Sequence, residues 1–351
     1  MSTSMGNSLP VPSVQALAST FDSTSDIPER YIRPEAEAEP VADADEGFEL
    51  PVIDLRLAQQ SQEECDRLGR ACEEWGFFQL VNHGVAEELV DKMKADIAEF
   101  FKLPLEEKEA YAQLPDGFEG YGQIFVKSEE QKLDWGDMIT IFTRPHSVRK
   151  MRFWPTHPPT FRDTLDKYTS AVKDVTSCVL EVMARNLGLD SEVMTKTFKD
   201  HPQGVRINYY PPCPDTKKVI GHSPHSDATG LTILLQANDV QGLQLRKNGK
   251  WLPIRPLPGA FIVNIGDHLE MLTNGKYKSN EHRVVVNTEK ERMSIAAFHP
   301  PRHDIVLRPL PELVQGGVEN YKATTFADFM KGFFSAKLDG KNYLETLKLN
   351  K

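Results

Sequence analysis

Two histidines and one aspartate are the side chains in this sequence that are best suited to chemistry. His225 and Asp227 stand two positions apart, and His282 lies far downstream in the same β-prone part of the chain. Side chains at i and i+2 of a strand share a face, so His225 and Asp227 could bind one metal ion. Two imidazoles and a carboxylate favour non-haem Fe(II) and leave roughly three coordination positions open. We therefore predict that His225, Asp227 and His282 are the metal ligands and catalytic residues.

The alternative interpretation is a solvent-facing turn at 225–227 and an unrelated surface histidine at 282. Against it, the triplet follows a Gly-His-Ser-Pro turn and precedes an apolar run at 231–235. Fe(II) is favoured over Zn²⁺ because a carboxylate replaces the thiolates of many zinc sites and open positions remain. His222 has no carboxylate two positions later, so we expect it behind the ligands or at the surface.

Arg292 and Ser294 form a second pair of residues that share a strand face. A guanidinium can bind a carboxylate through two parallel hydrogen bonds, and a nearby hydroxyl adds a third. We predict that this pair binds a dicarboxylate co-substrate, although Arg292 could instead form a cross-strand salt bridge with Glu289. Asn208 and Tyr210 also share a face and could assist, the alternative being that Tyr210 is a core aromatic residue.

Composition narrows the class of protein. The chain has 351 residues, a net charge of −10 and 26% charged residues, which argues against a nucleic-acid partner. Its four cysteines form no CxxC motif, which is typical of free thiols in the cytoplasm. We see no secretory signal, no membrane-spanning run and no obligate protein partner. P-loop, dinucleotide and G-x-S-x-G motifs are absent from the sequence, which disfavours nucleotide-binding enzymes and serine hydrolases.

The hydrophobic pattern predicts a mainly β protein with flanking helices. Long amphipathic helices are expected at 86–103 and 161–187, and many short strands separated by turn residues follow position 204, which is typical of a sandwich or jelly roll. A turn at 288–291 is expected to pair the strand of His282 with that of Arg292. Four regions result: an N-terminal extension (1–48), a mixed helical region (49–200), the β core (201–305) and a helical tail (306–351). In the N-terminal extension, Val14, Leu17 and Ala18 could form the apolar face of a short helix that docks on the body, and the acidic run is expected to be mobile.

These motifs, in this order, resemble those of the plant-type 2-oxoglutarate- and Fe(II)-dependent dioxygenases. The resemblance rests on LPVIDL, WGFFQLVNHGV, NYYPPCP, HSD, EHR and RMS, at 50–55, 75–85, 208–214, 225–227, 281–283 and 292–294. It implies a double-stranded β-helix (jelly roll), with iron on His225, Asp227 and His282. Arg292 and Ser294 would bind the distal carboxylate of 2-oxoglutarate, with Tyr210 and Asn208 assisting; O2 is the other co-substrate and ascorbate supports turnover.

Residues 119–138 are most similar to the branch that includes the morphinan O-demethylases and norcoclaurine-synthase-like dioxygenases, which implies plant secondary metabolism. The expected reaction is oxidation of a C–H bond, by hydroxylation or O-demethylation, in a hydrophobic small molecule. Residues expected to line its pocket, each with ordinary core as the alternative, are Tyr121, Ile124, Phe125, Phe142 and Phe298.

Two other functions remain open at this point. The same iron site occurs in oxidases that work without 2-oxoglutarate and also carry an RxS motif. A jelly-roll protein could instead bind a small molecule without turnover, although the intact set of five metal and co-substrate residues argues against that.

Overall fold

The structure is a computed structural model of the 351-residue chain. It describes residues 8–21, 26–34, 41–42, 49–115, 117–124, 126–198, 200, 202–336 and 342–349. The α-helices are α1 (Val14–Ala18), α2 (Leu55–Gln60), α3 (Gln62–Glu74), α4 (Glu87–Lys102), α5 (Leu105–Glu109), α6 (Phe161–Asn186), α7 (Ser191–Phe198), α8 (Asp267–Leu272), α9 (Phe326–Ser335) and α10 (Asn342–Thr346). Short 3-10 helices span Glu29–Tyr31, His146–Val148, Met151–Phe153, Pro311–Leu313 and Gln315–Gly317.

The strands are β1 (Val52–Asp54), β2 (Phe77–Val81), β3 (Gly120–Tyr121), β4 (Asp137–Arg144), β5 (Gln203–Tyr210), β6 (His222–His225), β7 (Leu231–Gln236), β8 (Leu243–Lys247), β9 (Lys250–Pro253), β10 (Phe261–Ile265), β11 (His282–Val284), β12 (Arg292–His299), β13 (Val306–Leu307) and β14 (Thr324–Thr325). Eight of them form a large sheet in the order β1-β2-β10-β7-β12-β5-β4-β3, and four form a small sheet in the order β6-β11-β8-β9. Residues of both sheets line one inner cavity. These features confirm the predicted jelly-roll core.

Successive side chains along each strand of the large sheet point to opposite faces, and this alternation decides which of them face the inner cavity. Ile139, Ile207 and Ile295 are neighbours in register, and all three are fully buried on the face that α4 and α6 cover. The next residues along the strands point the other way, so Arg206, Asn208 and Tyr210 on β5 line the inner cavity. The apolar faces of the helices predicted at 86–103 and 161–187 therefore pack against the outer face of the large sheet.

The predicted pairing of the His282 and Arg292 strands is wrong. β11 pairs with β6 and β8 in the small sheet, whereas β12 lies between β5 and β7 in the large sheet. Asn287 does initiate a turn, since its Oδ1 accepts hydrogen bonds from the backbone N–H groups of Glu289 and Lys290. A turn signal specifies that the chain reverses, but it does not specify which sheet the next strand joins. The two strands consequently face each other across the cavity.

The N-terminal segment contacts the body over more of its length than the sequence suggested. Val14 of α1 is fully buried, as expected for a docked helix, and Tyr31 is also buried in the same hydrophobic cluster. The acidic run that was expected to be mobile lies largely outside the described residues. Strands from 49–200 and 201–305 share the large sheet, and the boundaries of the four regions stay predictions. Among the described residues, no helix combines the length and apolar character needed to cross a bilayer.

Candidate metal and acid-binding site

His225, Asp227 and His282 converge at one point of the small sheet. One potential ligand atom from each side chain lies within 4.8 Å of the other two. Asp227 Oδ1 is 3.6 Å from Nε2 of His225 and 3.8 Å from Nε2 of His282. The two histidines are direct partners in the pairing of β6 with β11, whereas β6 ends at His225 and Asp227 follows it. The three side chains can therefore share one ion.

Backbone carbonyls set the orientation of both imidazole rings. Nδ1 of His225 donates to the carbonyl of Ser223 at 2.8 Å, and Nδ1 of His282 donates to that of Asn280 at 3.2 Å. A neutral ring that donates from Nδ1 has its lone pair on Nε2, which here faces the shared point. Burial lowers the pKa of His225 well below its ordinary value, and the neighbouring His222 and His282 add to this effect. His225 is thus a neutral metal donor at neutral pH.

The carboxylate of Asp227 is held by its other oxygen. Oδ2 accepts hydrogen bonds from Thr232 Oγ1 at 2.6 Å and from Asn264 Nδ2 at 2.8 Å, which leaves Oδ1 directed at the histidines. Burial alone would raise the pKa of Asp227, but the charge of His282 and these two hydrogen bonds bring that pKa below its ordinary value. An ionised carboxylate and two imidazoles form a donor set that fits Fe(II).

Arg292 carries a buried guanidinium across the cavity from the histidines. Its Nη1 lies 3.5 Å from Ser294 Oγ and its Nη2 lies 3.3 Å from Gln236 Oε1, while its Nε has no hydrogen-bond partner in the part of the chain that the structure describes. Among the described residues, no carboxylate lies within ion-pair distance of Arg292, so the alternative salt bridge with Glu289 is not formed. A buried cation without a counter-charge is costly, which fits a site for the carboxylate of a bound acid.

Asn208 and Tyr210 flank this guanidinium on β5. Asn208 Nδ2 donates to Ser294 Oγ at 3.4 Å, and the guanidinium carbon of Arg292 lies 5.4 Å from the centre of the Tyr210 ring. Oδ1 of Asn208 is buried without a partner. All the predicted co-substrate residues therefore lie together on one wall of the inner cavity.

Comparisons with known proteins agree with this geometry. Residues 202–301 match the model of the 2OG-Fe(II) oxygenase superfamily, and residues 50–157 match that of the non-haem dioxygenase in morphine synthesis N-terminal region. Over 348 residues the chain is 51% identical to 2-oxoglutarate-dependent dioxygenase 11 of Oryza sativa subsp. japonica, with 98% of each chain covered.

The chain belongs to the 2OG-Fe(II) oxygenase superfamily. It is also 44% identical over 354 residues to codeine O-demethylase of Papaver somniferum, with 98% of each chain covered. The crystal structure of JOX2 in complex with 2OG, Fe and JA matches with a TM-score of 0.88 and 38% identity, covering 97% of this chain and 98% of that one. The predicted family and fold are thereby confirmed. The protein is an oxidoreductase that uses Fe(II) and 2-oxoglutarate, and its family acts on small molecules.

The oxygenase has a second, larger cavity that reaches the same metal-binding side chains. Its volume is about 1620 Å³, and both His225 and Asp227 line it. Of the five residues predicted to contact substrate, Ile124, Phe142 and Phe298 lie on its wall. Phe125 lies outside the described residues. The C-terminal helix α9 supplies further apolar side chains to the wall, namely Phe326, Met330, Phe333 and Phe334.

The position of Tyr121 corrects the prediction that it lines the substrate pocket. Tyr121 pairs in register with Ile139 and therefore shares the face that the helices cover. Its hydroxyl donates to Asp137 Oδ2 at 3.1 Å, and its ring lies 6.3 Å from that of Phe100. Its aromatic character suggested a pocket residue, but strand register decides the face and is not readable from a two-residue strand.

Several residues that shape the oxygenase's site were missed in the sequence. Thr232 and Asn264 orient Asp227 from β7 and β10, and Gln236 contacts Arg292. Asp134 binds His222, which is half-buried beside His225. Each of these contacts joins residues from separate strands or loops, so no local motif signals it.

Proposed function

We propose that His225, Asp227 and His282 hold one Fe(II), and that Arg292 and Ser294 bind the distal carboxylate of 2-oxoglutarate, with Tyr210 and Asn208 assisting. The observation that carries this proposal is the position of a buried guanidinium, which has no carboxylate of the described residues within ion-pair distance, across the inner cavity from two imidazoles and an ionised carboxylate. A diacid that spans the cavity would neutralise Arg292 at one end and reach the ion at the other.

When bound, Fe(II) would activate O2, which is the oxidant: one oxygen atom would go to 2-oxoglutarate as it becomes succinate and CO2, and the other would oxidise a C–H bond of the substrate, while ascorbate keeps the iron ferrous. The residues of the chain contribute orientation and exclusion of water. Ser223 and Asn280 fix the histidine rings, Thr232 and Asn264 fix the carboxylate, and the apolar wall at Phe298 keeps the reacting C–H bond in a dry pocket.

The substrate is proposed to be a hydrophobic, aromatic small molecule of plant secondary metabolism, oxidised by hydroxylation or O-demethylation. Support comes from the volume of the cavity, about 1620 Å³, and from the aromatic and aliphatic side chains on its wall. The similarity to codeine O-demethylase favours a methoxy-bearing substrate among these. The cysteines Cys65, Cys72, Cys178 and Cys213 are free thiols, which is consistent with the proposed cytoplasmic location.

The experiment measures succinate release and O2 consumption together, while candidate aromatic plant metabolites are added to purified protein with Fe(II), 2-oxoglutarate and ascorbate. We expect one added compound to stimulate both rates, with close to one succinate formed per O2 consumed. Oxidation of the compound without succinate would indicate the 2-oxoglutarate-independent oxidase. Binding of the compound with no consumption of O2 or 2-oxoglutarate would indicate a silent binding protein.

A further inference from the structure

The N-terminal segment reaches the metal-binding side of the molecule through Arg33. This side chain is 12% exposed, and its Nη1 lies 2.9 Å from Ser223 Oγ and 3.6 Å from Asp134 Oδ1. The backbone N–H of Arg33 donates to the carbonyl of Lys218 at 2.7 Å, which fixes the segment beside the approach to β6. The guanidinium of Arg33, which lies outside the β core in sequence, thus contacts β6, the strand that carries His225.

Asp134 joins Arg33 to both residues at the start of that strand. Its Oδ1 accepts hydrogen bonds from the backbone N–H and the hydroxyl of Ser223, at 3.1 and 2.5 Å, and its Oδ2 accepts one from Nδ1 of His222 at 2.8 Å. The ring centre of His222 lies 4.1 Å from that of His225. The ion pair with Arg33 therefore holds a carboxylate that positions the two residues immediately behind an iron ligand.

Ser223 completes the connection to the ligand. Its hydroxyl contacts Arg33 and Asp134, while its carbonyl accepts the hydrogen bond from Nδ1 of His225 that directs Nε2 to the shared point. A rotation of Ser223 would turn the imidazole away from the other two ligands. Outer partners of this kind typically change metal affinity by about 10–100-fold when they are removed.

We propose that Arg33 is a positioning residue for the iron centre: through Ser223 and Asp134 it fixes the orientation of His225, so that Fe(II) affinity depends on the N-terminal segment. This inference rests on the proposed iron site. It assigns the segment a part in the chemistry of the enzyme, in addition to its packing against the body.

The segment has other anchors, so the loss of Arg33 alone should leave it docked. Asp137 accepts hydrogen bonds from the backbone N–H groups of Val14 and Gln15 at 2.8 and 2.9 Å. Tyr31 packs edge-on against Trp135, with ring centres 5.2 Å apart. A change at Arg33 can therefore be tested in a folded protein.

The test is an anaerobic calorimetric titration of the purified full-length chain with Fe(II) alone. Arg33→Met retains the length of the side chain and removes its charge, and we expect it to weaken Fe(II) binding by about 10-fold. Arg33→Lys should recover part of that affinity, because an ammonium group can still contact Asp134 and Ser223. Arg70→Met, an exposed arginine on α3, is the matched control and should bind Fe(II) as the unaltered chain does.

A double variant tests whether the effect passes through Ser223. Ser223→Ala keeps the backbone carbonyl but removes the hydroxyl that contacts Arg33. If Arg33 and Ser223 act as one unit, the Fe(II) affinity of the double variant should be close to that of the single variant with the lower affinity. If they act independently, the two fold-losses in affinity should multiply.

Two outcomes overturn the inference: unchanged Fe(II) affinity in Arg33→Met, or multiplied losses in the double variant. A lower thermal midpoint with unchanged affinity would make Arg33 only structural. Failure of the iron site itself is distinguishable, because Asp227→Ala would then also bind Fe(II) normally.

Discussion

At the scale of single residues, each proposed ligand uses one polar atom for the metal and another for its own orientation. The histidines donate from Nδ1 to the carbonyls of Ser223 and Asn280, and Asp227 accepts on Oδ2. These hydrogen bonds hold the side chains in the donor geometry, which reduces the ordering that metal binding requires.

Arg292 provides the sharpest prediction at this scale. Arg292→Ala should raise the concentration of 2-oxoglutarate needed for half-maximal succinate formation, because the distal carboxylate loses its charge-assisted contacts. Such a loss costs about 2–5 kcal/mol, which corresponds to roughly 30-fold or more in affinity. The concentration of the oxidised substrate needed for half-maximal succinate formation, measured at saturating 2-oxoglutarate, should change far less.

The control for this variant is Arg308→Ala, which removes an exposed arginine that pairs with Glu319. An equal rise in the substrate and 2-oxoglutarate requirements of Arg292→Ala would contradict its assignment to the co-substrate. So would an unaltered 2-oxoglutarate requirement.

Residue type and spacing indicated the proposed metal and acid-binding residues, but not the residues that orient them. The pairs 225/227 and 292/294 could be recognised because each lies within three consecutive positions. Thr232, Asn264 and Asp134 act on residues in other elements, and only folding brings them there. Tyr121 was misjudged because its residue type suits a pocket while its register places it in the core.

At the scale of elements, one carboxylate accepts several of the hydrogen bonds that hold α1 on the body. Asp137, at the start of β4, accepts hydrogen bonds from the Ser13 hydroxyl at 2.6 Å, from the Val14 and Gln15 backbone and from the Tyr121 hydroxyl. The apolar spacing of Val14, Leu17 and Ala18 predicted the helix, but its acceptor lies more than a hundred positions away and could not be inferred.

We expect Asp137→Ala to loosen α1 from the body, while the contacts of Tyr31 and Arg33 remain. The hydrogen-bond donors of α1 and the Tyr121 hydroxyl would lose a buried acceptor, which should lower the free energy of unfolding by about 1–3 kcal/mol. Limited proteolysis should then cut between α1 and residue 49 earlier than in the unaltered chain, and denaturant unfolding should show the loss of stability.

Asp163→Ala is the matched control, since that carboxylate is 69% exposed and pairs with Lys167 on the same helix. Its stability should stay within about 0.5 kcal/mol of the unaltered chain. Equal protease resistance of the Asp137 and Asp163 variants would show that α1 is held by its apolar contacts instead.

At the scale of the whole molecule, the site exists because two sheets face one cavity. The small sheet carries the two histidines that are proposed as metal ligands and the large sheet carries the buried cation, while α4 and α6 cover the outer face of the large sheet. The jelly-roll class could be predicted from many short strands and from the family resemblance. The partition of strands between sheets could not, because it depends on long-range pairing, and the expected hairpin of β11 with β12 failed for that reason.

The central claim is that residues from β6, the turn after it and β11 meet around a single ferrous ion. Anaerobic titration of Fe(II) into the full chain and into Asp227→Ala, with circular dichroism of both proteins, tests it most directly. We predict one bound ion per unaltered chain, and a folded Asp227 variant whose Fe(II) affinity is largely lost. A folded variant that binds Fe(II) with unchanged stoichiometry and affinity would contradict the account.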